Sequence, residues 1–311
     1  MRNKLLENAA ALDLVSDPWP ASLIESLLSR SDELFGRFME LRKQADRDLG
    51  HLPQYPWGQC ETITRRVRSL AIGKEWMKEW TDLGIRPRRI YGILKDLYFQ
   101  NAIQLGPLYI DPANNTVNVT IPPVEILPAS KVLWCNLSDP AEYRRVARRY
   151  LNLAIYPNTC LPVLFPFIPF IAINAEGHVF PLRHQDVILW KDAAADFELS
   201  DRWLAGLDAD DRLPAIAEAT LAEAVAADGF PLEWSPCAPS DIRSSVLPDY
   251  RQQLDSPNLM SLFKTALRLR DASLKQLYRQ PARIGGNALA GLQESGHAPR
   301  PRDIHDLSWT R

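Results

Sequence analysis

Near residue 84 the apolar pattern of this 311-residue chain changes period, and that change constrains the fold more than any single motif. On the N-terminal side Leu5, Leu6, Ala9, Ala10 and Leu12 recur at the three- and four-residue spacing of a helix, and Leu23, Leu27, Leu28, Leu34, Phe35 and Leu41 continue it. The Asp17-Pro18-Trp19-Pro20 cluster divides this run. A further helix is expected from Cys60 to about Leu83, with Gly73 as an internal division and Gly84 as a stop signal. Beyond it Arg89 to Tyr98 is rich in Ile, Tyr and Leu. Phe99 to Ile103 and Leu108 to Ile110 read as strands joined across Gly106-Pro107, and Val117 to Ile121 alternates as a half-buried strand does. Asp139 and Pro140 suit the N-cap and first residue of a helix reaching about Leu153. Ile171 to Ile173 and His178 to Phe180, on either side of Asn174 to Gly177, read as a hairpin.

Helices and strands segregated in this way predict an α+β protein. A helical N-terminal part is expected to pack on a small, mostly antiparallel sheet carrying Gln100, Asp111 and the 171–180 hairpin. A mainly helical C-terminal region is expected to follow, with the core in 1–190 and the second region in 191–311. That second region is marked by charge: residues 192–233 carry eleven Asp and Glu against two Arg, and residues 251–311 carry ten Lys and Arg against five Asp and Glu. The two blocks nearly cancel, so they read as solvated helical surfaces facing each other, with a basic arm for an acidic partner as the alternative.

A formal charge of −2 gives no nucleic-acid signal, and no apolar run approaches the ~18 residues of a membrane span. The N-terminus lacks a sustained signal-peptide core, and four scattered cysteines suit a reducing, cytoplasmic setting. Cysteines 60, 135, 160 and 237 show no C-x-x-C spacing, and the five histidines do not cluster with them, so no metal or cofactor is expected. Glycine-rich phosphate loops, H-E-x-x-H and G-x-S-x-G are absent from the sequence. Arg144, Arg145, Arg148 and Arg149 form a basic strip which, with Arg86, Arg88 and Arg89, either faces solvent or meets an anion.

Chemistry is most concentrated at Tyr55-Pro56-Trp57-Gly58-Gln59-Cys60, where a cysteine follows a turn and opens a helix. A thiol there lies among unpaired backbone amides at the positive end of the helix dipole, which favours the thiolate. Arg65, Arg66 and Arg68 add positive charge nearby, and Trp57 is placed to wall a substrate groove. Core packing is the competing role for any free cysteine, and it is the default for Cys135, Cys160 and Cys237.

Gly58-Gln59-Cys60, followed by the strand around Gln100-Asn101 and by Leu108-Tyr109-Ile110-Asp111, resembles the transglutaminase-like branch of the papain-like cysteine enzymes over residues 54–116. The resemblance implies a nucleophile at Cys60, an orienting aspartate at Asp111, a substrate-contacting role for Asn101, and a peptide or protein as substrate or partner. Where that family keeps a histidine, this chain has Gln100, which does not titrate near neutral pH. Three arrangements are then open. The fold remains and Cys60 lines a binding groove; His178 or His184 supplies the base; or Gln100 helps hold an oxyanion beside a thiolate made by its surroundings. Asp186 or Asp192 would orient a histidine in the second case. The functions implied are cysteine-dependent acyl transfer or amide or thioester hydrolysis, and alternatively an inactive module that binds a protein or peptide.

Overall fold

A computed structural model describes residues 7–16, 19–182, 186–227, 234–254 and 282–300. It is an α+β protein in which the backbone contacts divide the chain between Leu137 and Ser138. The N-terminal unit comprises the described residues of Ala10–Leu137, and the C-terminal unit those of Ser138–Leu307 together with 7–9. The expected division at 190/191 falls inside a helix, because the charge change that suggested it is a property of surfaces and not of cores.

Helices α1 (Ala21–Ser29), α2 (Ser31–Leu49), α3 (Cys60–Ile72) and α4 (Glu75–Asp82) precede the first sheet. Gly73 caps α3, and Gly84, at φ +79°, follows α4, so both glycines punctuate the chain where the pattern placed them. The sheet is antiparallel, with strands β1 (Arg88–Leu94), β2 (Tyr98–Leu105), β3 (Leu108–Asp111), β4 (Glu125–Pro128) and β5 (Trp134–Asn136) in the order β4-β3-β2-β1-β5. Gly106 at φ +56° makes the two-residue turn between β2 and β3. One face of β2 and β3 presents Ile103, Leu105, Leu108 and Ile110 to a core built from Phe38, Leu41, Ile63, Val67 and Trp80 of the helices. The other face carries Ala102 and Tyr109 in a smaller cluster with Ile90, Leu127 and Trp134.

Val117 to Ile121 is not a strand. Asn114–Thr116 forms a 3-10 turn, and Asn118 Oδ1 accepts from the Thr120 amide (3.0 Å) and hydroxyl (2.7 Å), a local turn that competes with ladder pairing.

The C-terminal unit opens with α5 (Pro140–Tyr150), capped by Asp139 Oδ1 accepting the Glu142 amide at 2.9 Å. Its sheet, in the order β6-β7-β8-β9, contains β6 (Ala154–Pro157), β7 (Phe170–Ile173), β8 (His178–Leu182) and β9 (Ala282–Arg283). The 171–180 hairpin therefore belongs to a second sheet and not to the one that carries Gln100 and Asp111. Helices α6 (Asp186–Ala194), α7 (Glu198–Ala205), α8 (Ala215–Ala227), α9 (Leu247–Leu254) and α10 (Gly286–Glu294) make this unit mainly helical. Its core joins Tyr156, Ile171, Ile173 and Val179 of the sheet to Leu213, Ala217, Leu221 and Val225. Arg243 and Arg251 both meet Asp201 of the acidic block, at 2.6 and 3.5 Å. Most of the basic block, residues 255–281 and 301–311, and the Asp17-Pro18 break lie outside the described residues, and so do residues 1–6.

Candidate functional site

Cys60 is the first residue of α3, as the sequence implies, and the chain reaches it through a tightly tied turn. The Trp57 amide donates to Gln54 O at 2.8 Å, and Gly58, at φ +67°, donates to Thr116 O at 3.3 Å. The buried guanidinium of Arg42 on α2 meets this turn at Tyr55 Oη, to which its Nη2 donates at 3.5 Å. Its Nε meets Asp46 Oδ1 at 2.8 Å, and its Nη1 donates to Pro112 O at 2.7 Å and Asn115 Oδ1 at 2.9 Å. Tyr55 hydrogen-bonds Asp46 from the turn itself.

The Cys60 sulfur faces an amide. Asn101 Nδ2 on β2 donates to it at 3.7 Å, and Asn101 Oδ1 accepts from Arg89 Nη1 at 2.9 Å. Thr64, one turn into α3, donates its hydroxyl to Asn101 O at 2.9 Å and so locks helix to strand. Cys60 is half-buried and packs against the helix-facing core. Burial pushes its thiol above the ordinary range, outweighing the Asn101 hydrogen bond, and the charges of Asp111 and Glu61 push the same way.

The three arginines expected to favour thiolate are committed elsewhere. Arg65 pairs with Glu61 at 2.7 Å, Arg66 with Asp48 at 2.6 Å, and Arg68 donates to Pro87 O at 2.8 Å. Arg89, which sequence reading did not connect with Cys60, is the cation closest to this network, and Glu61 Oε1 takes it at 2.9 Å.

Gln100 and Asp111 pair with each other on the opposite face of the sheet. Ile103 lies across from Ile110 and Gln104 from Tyr109, so Asn101 shares the helix-facing side with Ile103 while Gln100 shares the far side with Ala102 and Tyr109. The strand residue presented to the sulfur is thus Asn101, one position from the Gln100 that the sequence pattern put in the histidine's place. Gln100 Nε2 donates to Asp111 Oδ2 at 2.6 Å; Tyr109 Oη donates to the same oxygen at 3.1 Å, and the Ala113 amide donates to Oδ1 at 2.8 Å. Asp111 is fully buried, and burial pushes its carboxyl up to about 6 despite these donors. Gln100 Oε1 is buried with no hydrogen-bond partner among the described residues.

His178 belongs to the C-terminal unit, at the start of β8. Its backbone amide donates to Asn174 Oδ1 at 2.9 Å and its Nδ1 lies 3.2 Å from Asn174 Nδ2, which gives it a place in the hairpin turn. Asp192 receives the Ser200 hydroxyl and amide, not a histidine. His184 lies outside the described residues. Cys160 is buried, as expected of a packing cysteine, but Cys135 is exposed and Cys237 half-buried. Among the described residues no three His, Cys, Asp or Glu gather as metal ligands, and no helix is long and apolar enough to cross a membrane.

No family model, curated protein or solved structure matches this chain. The alternation of β2 was the signal that singles out Asn101: with Ile103 and Leu105 assigned to the helix-facing core, parity assigns Asn101 to it as well.

Proposed function

We propose that this chain acts by binding a protein or peptide, as a catalytically silent module on a transglutaminase-like pattern, and not by acyl transfer through Cys60. One observation carries the reading. The group facing the sulfur is the Asn101 amide, which takes up no proton near neutral pH. A cysteine nucleophile needs a base or a cation to hold it as thiolate. Here the neighbouring cations are engaged by Glu61, and burial disfavours the charged form. Trp57, 40% exposed in the turn before Cys60, offers the kind of aromatic anchor that interfaces use.

Peptide-mapped labelling with iodoacetamide tests the chemistry. At neutral pH exposed Cys135 is expected to react first and Cys60 slower by on the order of tenfold. Cys60 outrunning Cys135 would restore the acyl-transfer reading. For binding, a partner captured by the wild type is expected to be retained by Cys60→Ala and lost by Trp57→Ala. The reverse pattern would place the function on the sulfur.

A further inference from the structure

The C-terminal unit holds a concave site independent of the Cys60 reading. Between α5 and α7, and bounded by the segment 206–211, lies a cavity of about 470 Å³, a volume typical of small-ligand sites. Its lining carries four arginines, at 144, 145, 148 and 202, against two carboxylates, Asp139 and Asp211. Both carboxylates are already engaged: Asp139 caps α5, and Asp211 takes the guanidinium of Arg144.

Arg144 is 9% exposed, and its Nε donates to Ile155 O at 2.9 Å, so its charge is fixed in the wall. Arg148 lies one helical turn further on, and Arg202 lines the cavity from α7. Among the described residues the side chains of Arg148 and Arg202 make no hydrogen bond or ion pair. Partial loss of hydration in the cavity wall, together with the like charge of Arg144, holds the exposed Arg148 below the usual guanidinium range. Leu199, Trp203 and Leu207 supply an apolar wall beside these cations.

Two guanidiniums, Arg148 and Arg202, in one cavity with no hydrogen bond or ion pair among the described residues call for an anion. Arg148 from α5 and Arg202 from α7 together suit a dianion better than a monocarboxylate. Guanidinium forks match phosphate oxygens in pairs. We propose that this cavity binds a small phosphate monoester, its phosphate held by Arg148 and Arg202 and its ester group lying against Leu199, Trp203 and Leu207.

Phenyl phosphate is the probe, titrated calorimetrically into the full-length chain at fixed ionic strength. Binding is expected, with a loss of at least tenfold in affinity in Arg148→Gln and in Arg202→Gln, each checked for an unchanged melting temperature. Arg149→Gln, on the same helix but outside the lining, is expected to bind as the wild type does. Both replaced side chains are exposed, so neither substitution opens the core. Absence of binding by the wild type, or unchanged affinity in both lining variants, would overturn the site. Benzoate binding as tightly as phenyl phosphate would overturn the assignment of a phosphate dianion.

Discussion

Asn101 joins three parts of the N-terminal unit through one residue: its Nδ2 meets the Cys60 sulfur, its Oδ1 holds Arg89, and its carbonyl receives Thr64. An amide suits this post because it donates at one end and accepts at the other without carrying charge. An amide takes no proton from the thiol near neutral pH. Asn101→His would put a titratable nitrogen where the amide now meets sulfur, and Cys60 alkylation at neutral pH is expected to quicken by on the order of tenfold. Gln100→His alters the far face of the sheet and is expected to leave the alkylation rate unchanged. If the two variants behaved the other way round, the facing of β2 given above would be wrong.

At the scale of elements, Arg42 binds α2 to the segment after β3 and to the turn before α3. It is 2% exposed, and its guanidinium is shared between Asp46, Pro112 O and Asn115. Arg42→Met fills the same space and leaves those acceptors unanswered. A loss of about 3 kcal/mol is expected, read as a lower urea midpoint; a loss under about 1 kcal/mol would mean that water replaces the guanidinium freely. Much of this architecture was legible in the sequence. The Gly106-Pro107 turn, the helix opened by Cys60 and the Asp139 cap all follow from local rules that need no knowledge of distant residues. Three features were not legible. Val117 to Ile121 alternates, but Asn118 closes a turn on Thr120 instead. The 171–180 hairpin pairs correctly, yet which sheet it joins depends on long-range contacts. The facing of Gln100 and Asn101 depends on which side the helices cover, and a slip of one residue exchanges every side chain between faces.

Among the described residues, each unit buries one carboxyl against its preference: Asp111 in the N-terminal unit and Asp192 in the C-terminal one, both pushed up to about 6, chiefly by burial. An unfolded aspartate titrates near ~3.9. Between that value and about 6 the folded chain holds the extra protons, so each group's contribution is fully present below pH ~4 and is lost as pH rises through about 6. A shift of roughly two units corresponds to about 3 kcal/mol per group. Asp111→Asn removes one titration, so the wild type is expected to lose about 2–3 kcal/mol relative to this variant between pH 4 and pH 7 in urea denaturation. Parallel pH curves for the two proteins would show that Asp111 stays ionised throughout.

The Gln100 side chain gives that titration a geometric reading. While Asp111 is ionised, both of its oxygens accept, so the amide can only turn its nitrogen toward them and leave its own oxygen stranded. Once the carboxyl gains a proton it becomes a donor, and the amide rotated end for end then accepts that proton. The heading of one enclosed dipole thus records whether its neighbour holds a hydrogen.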